Sequence, residues 1–219
     1  MLQGLILDLD GVIVDSHPAH LLAWQTLLSS LGKETSDHEL EFVLEGHKRE
    51  DILRHFLGDL TEEELEEYGA RKETLFRESL REVQTVNGLW EFLEQIDTEG
   101  LPMALASSAS RSRVTYTLEH LDLTDRFQCV VTGTDVAKGK PDPTIFNVAA
   151  EGMGVEPSRI LVCEDAVNGV EAAKSAGMKC LAIAANGRTP LLKKAGADVI
   201  VPDFTATDLK QLRGLWDHE

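Results

Sequence analysis

At 219 residues the chain exceeds the roughly 150 of a typical single domain and falls short of two, so one full core with a smaller added module is expected. Its 42% hydrophobic and 27% charged residues describe a folded globular protein and exclude disorder as the main state. Twenty-one Lys and Arg against 38 Asp and Glu give a formal charge of −17, which excludes nucleic acid or an anionic membrane as the principal partner, because both require a basic face.

Taken in chain order, the first apolar run is Leu5-Ile6-Leu7. Asp8 and Asp10 stop it and no basic residue precedes it, so it reads as a buried strand and not as a signal peptide. No stretch approaches a membrane span, and the cytoplasm is the expected location. Ser16-His17-Pro18 reads as a helix start. Residues 17–85 carry no strand signal, and Leu21, Trp24, Leu28 and Leu31 fall at helical spacing, so this segment is expected to be an all-α module. Within it Thr61-Glu62-Glu63-Glu64 reads as a capping box that opens a solvated helix. Val86-Asn87-Gly88 reads as the return linker. Short apolar runs then recur at 102–107, 128–132, 159–163, 179–184 and 198–201 with helical stretches between them, which is the pattern of βαβ units and a parallel sheet. Cys129, Cys163 and Cys180 are odd in number, widely separated and set in apolar runs, as suits reduced thiols packed as small hydrophobes.

Four places carry chemistry. Asp8 and Asp10 leave the end of a buried strand at i and i+2, where a period of two points them the same way. Two like charges so close are costly without a cation or a shared proton, although an acidic strand-end turn is the alternative. Glu164-Asp165 follows a second buried run, and parallel strands gather their C-terminal ends at one ligand-binding edge. Asp8, Asp10 and Asp165 could thus converge on one hard cation, for which Mg²⁺ is the natural choice; a helix N-cap is the alternative for the second pair. Ser107-Ser108 ends the run from 102 ahead of a helix, offering a hydroxyl and helix amides to phosphate oxygens, or a plain Ser cap. Lys140 sits in Lys138-Gly139-Lys140-Pro141-Asp142-Pro143, where a stiff turn holds its ammonium for a developing phosphoryl charge.

In motif order and placement the whole chain resembles the haloacid dehalogenase-like phosphotransferases related to β-phosphoglucomutase, with Asp8-Leu9-Asp10-Gly11, Ser107, Lys140-Pro141 and Glu164-Asp165 as the four motifs. The resemblance implies an α/β Rossmann-like three-layer core with a parallel sheet, formed by residues 1–16 and 86–219, and an inserted all-α cap at 17–85. It implies that Asp8 is the phosphoryl-accepting nucleophile, Asp10 the general acid and base, and Ser107 and Lys140 the holders of the transferring oxygens. Mg²⁺ would lie between Asp8, the backbone carbonyl of Asp10 and Asp165, with Glu164 bound directly or just behind. Asp10 argues against dehalogenase and phosphonatase chemistry, whose family members lack that second Asp.

By the same resemblance His20, Arg49 and Lys72 of the cap take substrate-binding positions, as do Ser108 and Arg111 of the loop Ser107-Ser108-Ala109-Ser110-Arg111-Ser112-Arg113. Mutases of this type have a Lys-Asn pair just after the Ser motif. Arg111 could replace the Lys, but no Asn follows. A Mg²⁺-dependent phosphatase acting on a small phosphorylated metabolite, a sugar phosphate by preference, is therefore favoured over a phosphomutase. A non-catalytic binding protein on the same fold is the third reading. Nothing in the sequence calls for an obligate protein partner.

Overall fold

A computed structural model describes residues 1–79, 84–184 and 188–217. Strand β1 (Gly4–Leu7) is followed by helices α1 (His17–Ser30), α2 (Asp37–Leu40), α3 (Arg49–Leu57) and α4 (Glu62–Ser79). Then come α5 (Leu89–Thr98), β2 (Met103–Ser107), α6 (Arg111–His120), β3 (Cys129–Thr132), α7 (Thr144–Met153), β4 (Ile160–Glu164), α8 (Val167–Ser175), β5 (Lys179–Ile183), α9 (Thr189–Ala195), β6 (Val199–Val201) and α10 (Leu209–Arg213). All six strands are parallel, in the order β3-β2-β1-β4-β5-β6.

The strands read as unbroken apolar runs because helices cover both faces of the sheet. Leu5 and Leu7 of β1 pack with Phe92 of α5, Leu118 of α6 and Leu212 of α10, whereas Ile6 between them packs with Phe146 of α7 and Val170 of α8. The result is a three-layer Rossmann-like α/β core, as the sequence pattern predicts. Chain order also sets the site. β1 is central, the chain builds outward through β2 and β3, and it then returns to β1's other side with β4, so the crevice of a doubly wound sheet opens at the C-terminal end of β1. Leu7 is level with Leu105 of β2 and Cys163 of β4, so Asp8, Ser107 and Glu164 emerge on three neighbouring strands.

Helices α1 to α4 bury apolar residues of their own, with Trp24, Leu27, Leu28, Leu53 and Leu65 forming a cluster separate from those on the sheet. The Thr61 capping box is present: Thr61 N donates to Glu64 Oε2 at 2.8 Å and Glu64 N to Thr61 Oγ1 at 3.2 Å. Residues 80–83, part of the segment read as the helical module, lie outside the described residues. Thr85 beyond them bridges back to Val14, bringing the two ends of the segment together. The helix start at Ser16-His17-Pro18 is real, but Ser16 spends its hydroxyl on Asp10 and makes no side-chain cap.

Candidate active site

The strand ends at Leu7, so Asp8 and Asp10 stand in the turn beyond it and their carboxylates separate toward different cations. Asp8 is buried; its Oδ1 accepts from Lys140 Nζ at 2.6 Å and its Oδ2 from the Asp10 amide at 3.0 Å. Burial pushes its carboxyl up to about 8; Lys140 pulls the other way, and Glu164, Asp10 and Asp165 add to the rise. Lys140 is itself only 4% exposed and also donates to Glu164 Oε1 at 2.5 Å and to the Ala106 carbonyl at 3.2 Å. Desolvation works against its charge, yet the flanking Asp8 and Glu164 carboxylates hold it above the ordinary lysine range. The Lys140–Pro141 peptide is cis.

Asp10 faces the helical module. Arg113 binds it through both arms, Nη1 to Oδ1 at 2.7 Å and Nη2 to Oδ2 at 2.5 Å, and Ser16 Oγ donates to Oδ1 at 2.6 Å. His20 Nε2 lies 3.1 Å from the same oxygen, and Lys72 Nζ lies 3.0 Å from His20 Nδ1. A charged Lys72 can only donate, so in that state Nδ1 accepts and Nε2 carries the proton toward Asp10. Burial would raise the Asp10 carboxyl, but the Arg113 charge and the hydrogen bonds from His20 and Arg113 hold it well below the usual range. Desolvation, then Lys72, lowers His20 to about 3, and desolvation, then Arg113, lowers Lys72 to about 7.

Glu164 and Asp165 have different tasks. Glu164 Oε2 accepts from the amides of Asp165 and Ala166, both at 2.8 Å, while Oε1 takes Lys140. It therefore anchors the turn before α8 and the ammonium together. Gly169 makes this possible, because a Cβ there would run into the Glu164 carboxylate. Asp165 Oδ2 lies 2.7 Å from His17 Nε2 and raises that imidazole's pKa against the opposing effect of burial. Both groups press on Gly11, whose φ of 71° suits glycine and whose missing side chain leaves them room.

Ser107 is buried, with its Oγ accepting from the Ala109 amide at 3.2 Å, and Ser108 Oγ donates to the Gly46 carbonyl at 2.9 Å. Neither caps α6, whose N-cap residue is Ser110. Arg49 pairs with Glu50 at 2.8 Å and lies against Gly69, and its Nε is buried without a partner.

A cleft of about 700 Å³ brings together Asp8, Asp10, Ser107, Ser108, Lys140, Glu164 and Asp165 from the sheet edge and its loops with His20, Arg49 and Lys72 from the helices. Arg111 is the exception. It lies outside the cleft, half exposed, and pairs with Asp135 at 2.6 Å. The arginine that reaches the site is Arg113, which is buried with Val114, Thr117 and Leu118 on α6, and helical spacing did not announce it: Arg111, three residues before Val114 and seven before Leu118, shares their face by period but stands at the first position of the helix. Ser16 and His17, read only as a helix start, also reach the site.

The proposed metal ligands fit a hard cation in part. Among the described residues no three His, Cys, Asp or Glu side chains already stand together as a metal centre. The carboxylates of Asp10 and Glu164 are occupied by Arg113, Lys140 and backbone amides. Asp8, with its oxygens on Lys140 and the Asp10 amide, Asp165, with Oδ2 on His17, and the Asp10 carbonyl make an all-oxygen set of the kind Mg²⁺ takes once those contacts are exchanged for it. The upward push on Asp8 from its acidic neighbours marks an excess of negative charge that a divalent cation would offset.

A parallel α/β core with a buried Asp–Lys pair and acidic residues on adjoining strand ends has the makeup of a phosphoryl-transfer enzyme. Residues 5–183 match the haloacid dehalogenase-like hydrolase family, and the chain belongs to it, within the β-phosphoglucomutase-like subfamily. It is 32% identical over 226 residues to a β-phosphoglucomutase of Bacillus subtilis, covering 99% of this chain and 96% of that one. It is 29% identical over 226 residues to a phosphorylated carbohydrates phosphatase of Thermotoga maritima, covering 96% and 100% respectively. The structure superposes on a β-phosphoglucomutase crystal structure from Clostridium difficile with a TM-score of 0.88 and 26% identity, covering 100% of this chain and 98% of that one. No helix among the described residues is long and apolar enough to cross a membrane.

Proposed function

We propose that the protein is a Mg²⁺-dependent phosphatase of the cytoplasm that hydrolyses a small phosphorylated metabolite, a sugar phosphate in class, through a phosphoryl group carried on Asp8. Residues 1–16 and 86–219 form its core and 17–85 its cap, with no obligate partner. The observation that carries this reading is the placement of Asp8 on a buried Lys140, at a strand end that also presents Ser107 and Asp165. Asp8 attacks phosphorus, while Lys140 and Ser107 hold the equatorial oxygens. Asp10, ionised at rest, takes a proton from the water that discharges Asp8 and gives that proton to the departing oxygen of the next turnover. Asp8, Asp165 and the Asp10 carbonyl would hold Mg²⁺, which supplies charge neutralisation for the approach of an anionic nucleophile to a phosphate dianion.

Hydrolysis is favoured over mutase turnover by the loop after Ser107. In it Arg111 turns to Asp135 and Arg113 to Asp10, which leaves neither for a second phosphate. Relatives named for both activities keep the mutase as the competing reading. A panel of phosphorylated sugars, assayed with and without Mg²⁺, tests both by comparing phosphate release with isomerisation of β-glucose 1-phosphate. Robust isomerisation with little phosphate release would overturn the phosphatase reading. Full turnover by Asp8→Asn would overturn the nucleophile, and no turnover of any member would return the chain to a binding role.

A further inference from the structure

Helix α4 has one place on its inner face where no side chain stands. Leu65, Gly69, Lys72 and Phe76 recur at helical period and are buried together. Leu65, Lys72 and Glu73 line the cleft, but Gly69 between them does not, because the Arg49 guanidinium covers it. We propose that Gly69 is a positioning residue for substrate selection. It is the seat of Arg49, and by letting that guanidinium lie back on α4 it sets the cap-side wall of the cleft and aims the group at the oxygens of the leaving moiety. The inference rests on the reading of the protein as a phosphatase of a hydroxyl-bearing phosphate, and it names one determinant of that choice.

Inside an 18-residue helix glycine is the least favourable residue save proline, since it has the most backbone freedom to lose and packs nothing. At position 69 the omission has a use. A Cβ there would stand 2.6 Å from both Cζ and Nε of Arg49 and 3.0 Å from Nη1, so the guanidinium fills the space that a side chain would take. Among the described residues the Arg49 side chain makes one hydrogen bond, Nη2 to Glu50 Oε1 at 2.8 Å, and its Nε is buried without a partner. One bond lets a guanidinium swing about it, so the fit against Gly69 is what fixes its place. The base of the side chain is fixed from the core. Arg49 opens α3, and Lys48 just before it gives Nζ to the Val136 carbonyl at 2.5 Å and lays its stem against Gly139, where a Cβ would come within 2.7 Å of Lys48 Cγ. With its backbone held by the core and its head held by α4, Arg49 takes one course along the cap wall. A methyl at position 69 would meet it from the helix side and drive it toward the cleft, where a third of the side chain is already exposed.

The test measures kcat and KM for Gly69→Ala, Arg49→Ala and the two combined. The probes are glucose 6-phosphate and β-glucose 1-phosphate, whose leaving groups carry hydroxyls, and acetyl phosphate, whose leaving group has none. Gly69→Ala should raise KM for the hexose phosphates about tenfold, the scale of one hydrogen bond to a charged group, and leave most of kcat, the mark of lost uniform binding. The ratio of kcat/KM between hexose phosphate and acetyl phosphate should fall by the same factor, about tenfold. In the Arg49→Ala background the alanine at position 69 should cost less than about twofold, because the two changes remove one shared contact.

An equal loss on all three probes, no loss at all, or a loss that persists undiminished without the Arg49 side chain would overturn the seat. Should Gly69→Ala misfold, recovery of the fold in the combined variant would show the same clash with Arg49, and misfolding of both would overturn it. A wild type that turned over acetyl phosphate but neither hexose phosphate would sink the sugar-phosphate reading and this inference with it. Hexose phosphate turnover by the wild type without a selective loss in Gly69→Ala would leave that reading standing and remove Gly69 alone.

Discussion

Replacing Lys140 with methionine should show in stability as well as in turnover. Lys140 Nζ stands 2.6 Å from Asp8 and 2.5 Å from Glu164, and its side chain is 1% exposed. Breaking a buried pair from one side costs about 3–5 kcal/mol, which for a chain of this length lowers Tm by about 6–20 °C. The loss should depend on pH with a defined sign. The Asp8 carboxyl is already raised to about 8, so the folded state holds a proton that the unfolded state has released, and native stability falls as pH rises from about 4 to 8. Removing Lys140 raises the folded value further, so the gap between variant and wild type should be small at pH 5 and widen up to pH 8 and beyond. A drop of at least about 100-fold in kcat/KM is expected as well, since the oxyanion loses a charged donor. Urea melts in EDTA at pH 5 and pH 8, with kcat/KM measured in Mg²⁺, test this. Lys140→Met combined with Glu164→Gln should regain part of the stability and none of the activity. A gap independent of pH, or a variant as stable as wild type at pH 8, would refute the account.

Three other outcomes are expected. Gly169→Ala would normally stabilise a helix by about 1 kcal/mol, but here the methyl meets the Glu164 carboxylate, so thermal melts should show a loss of about 1–3 kcal/mol instead. Lys72 has its pKa lowered to about 7, so below that value both states are protonated and the folded state carries the cost; stability then rises from about pH 7 to 10.5 as only the unfolded state keeps the proton. Lys72→Met should therefore stabilise the protein at pH 6 by about 1–4 kcal/mol, an advantage that shrinks by pH 9, while activity falls because His20 loses its donor. Arg111→Ala, which breaks an exposed pair with Asp135, should change stability by under about 1 kcal/mol and leave KM as it was.

Much of the core was legible because buried parallel strands announce themselves. Each of the six apolar runs became a strand, and the helical spacing of Trp24 and Leu28 became a packed face of α1. The site was legible as a set of positions, since strand ends in a parallel sheet must share an edge. Side-chain partners were not. The spacing of Asp8 and Asp10 predicted carboxylates pointing one way, but the strand stops at Leu7, and the alternation ends with it. Glu164-Asp165 read as a metal pair or a helix cap, but neither side chain caps α8; Glu164 holds the Asp165 and Ala166 amides of the turn before it while also holding Lys140. Arg111 and Arg113 are two residues apart and chemically alike. Which of them reaches Asp10 was not set by helical period: Arg113 is buried, and Arg111 stands at the first position of α6.

By itself, then, the sequence determined the order of strands and helices, the helical stretch between the first two strands and the positions of the acidic residues at the strand ends, because hydrophobic period and motif order are local properties of the chain. Tertiary structure alone decided that Asp8 takes Lys140 and Asp10 takes Arg113, pairs separated by 132 and 103 residues. Those pairings arise because each buried charge requires an opposite one within hydrogen-bond reach, and only the folded sheet and helices establish which groups come that close.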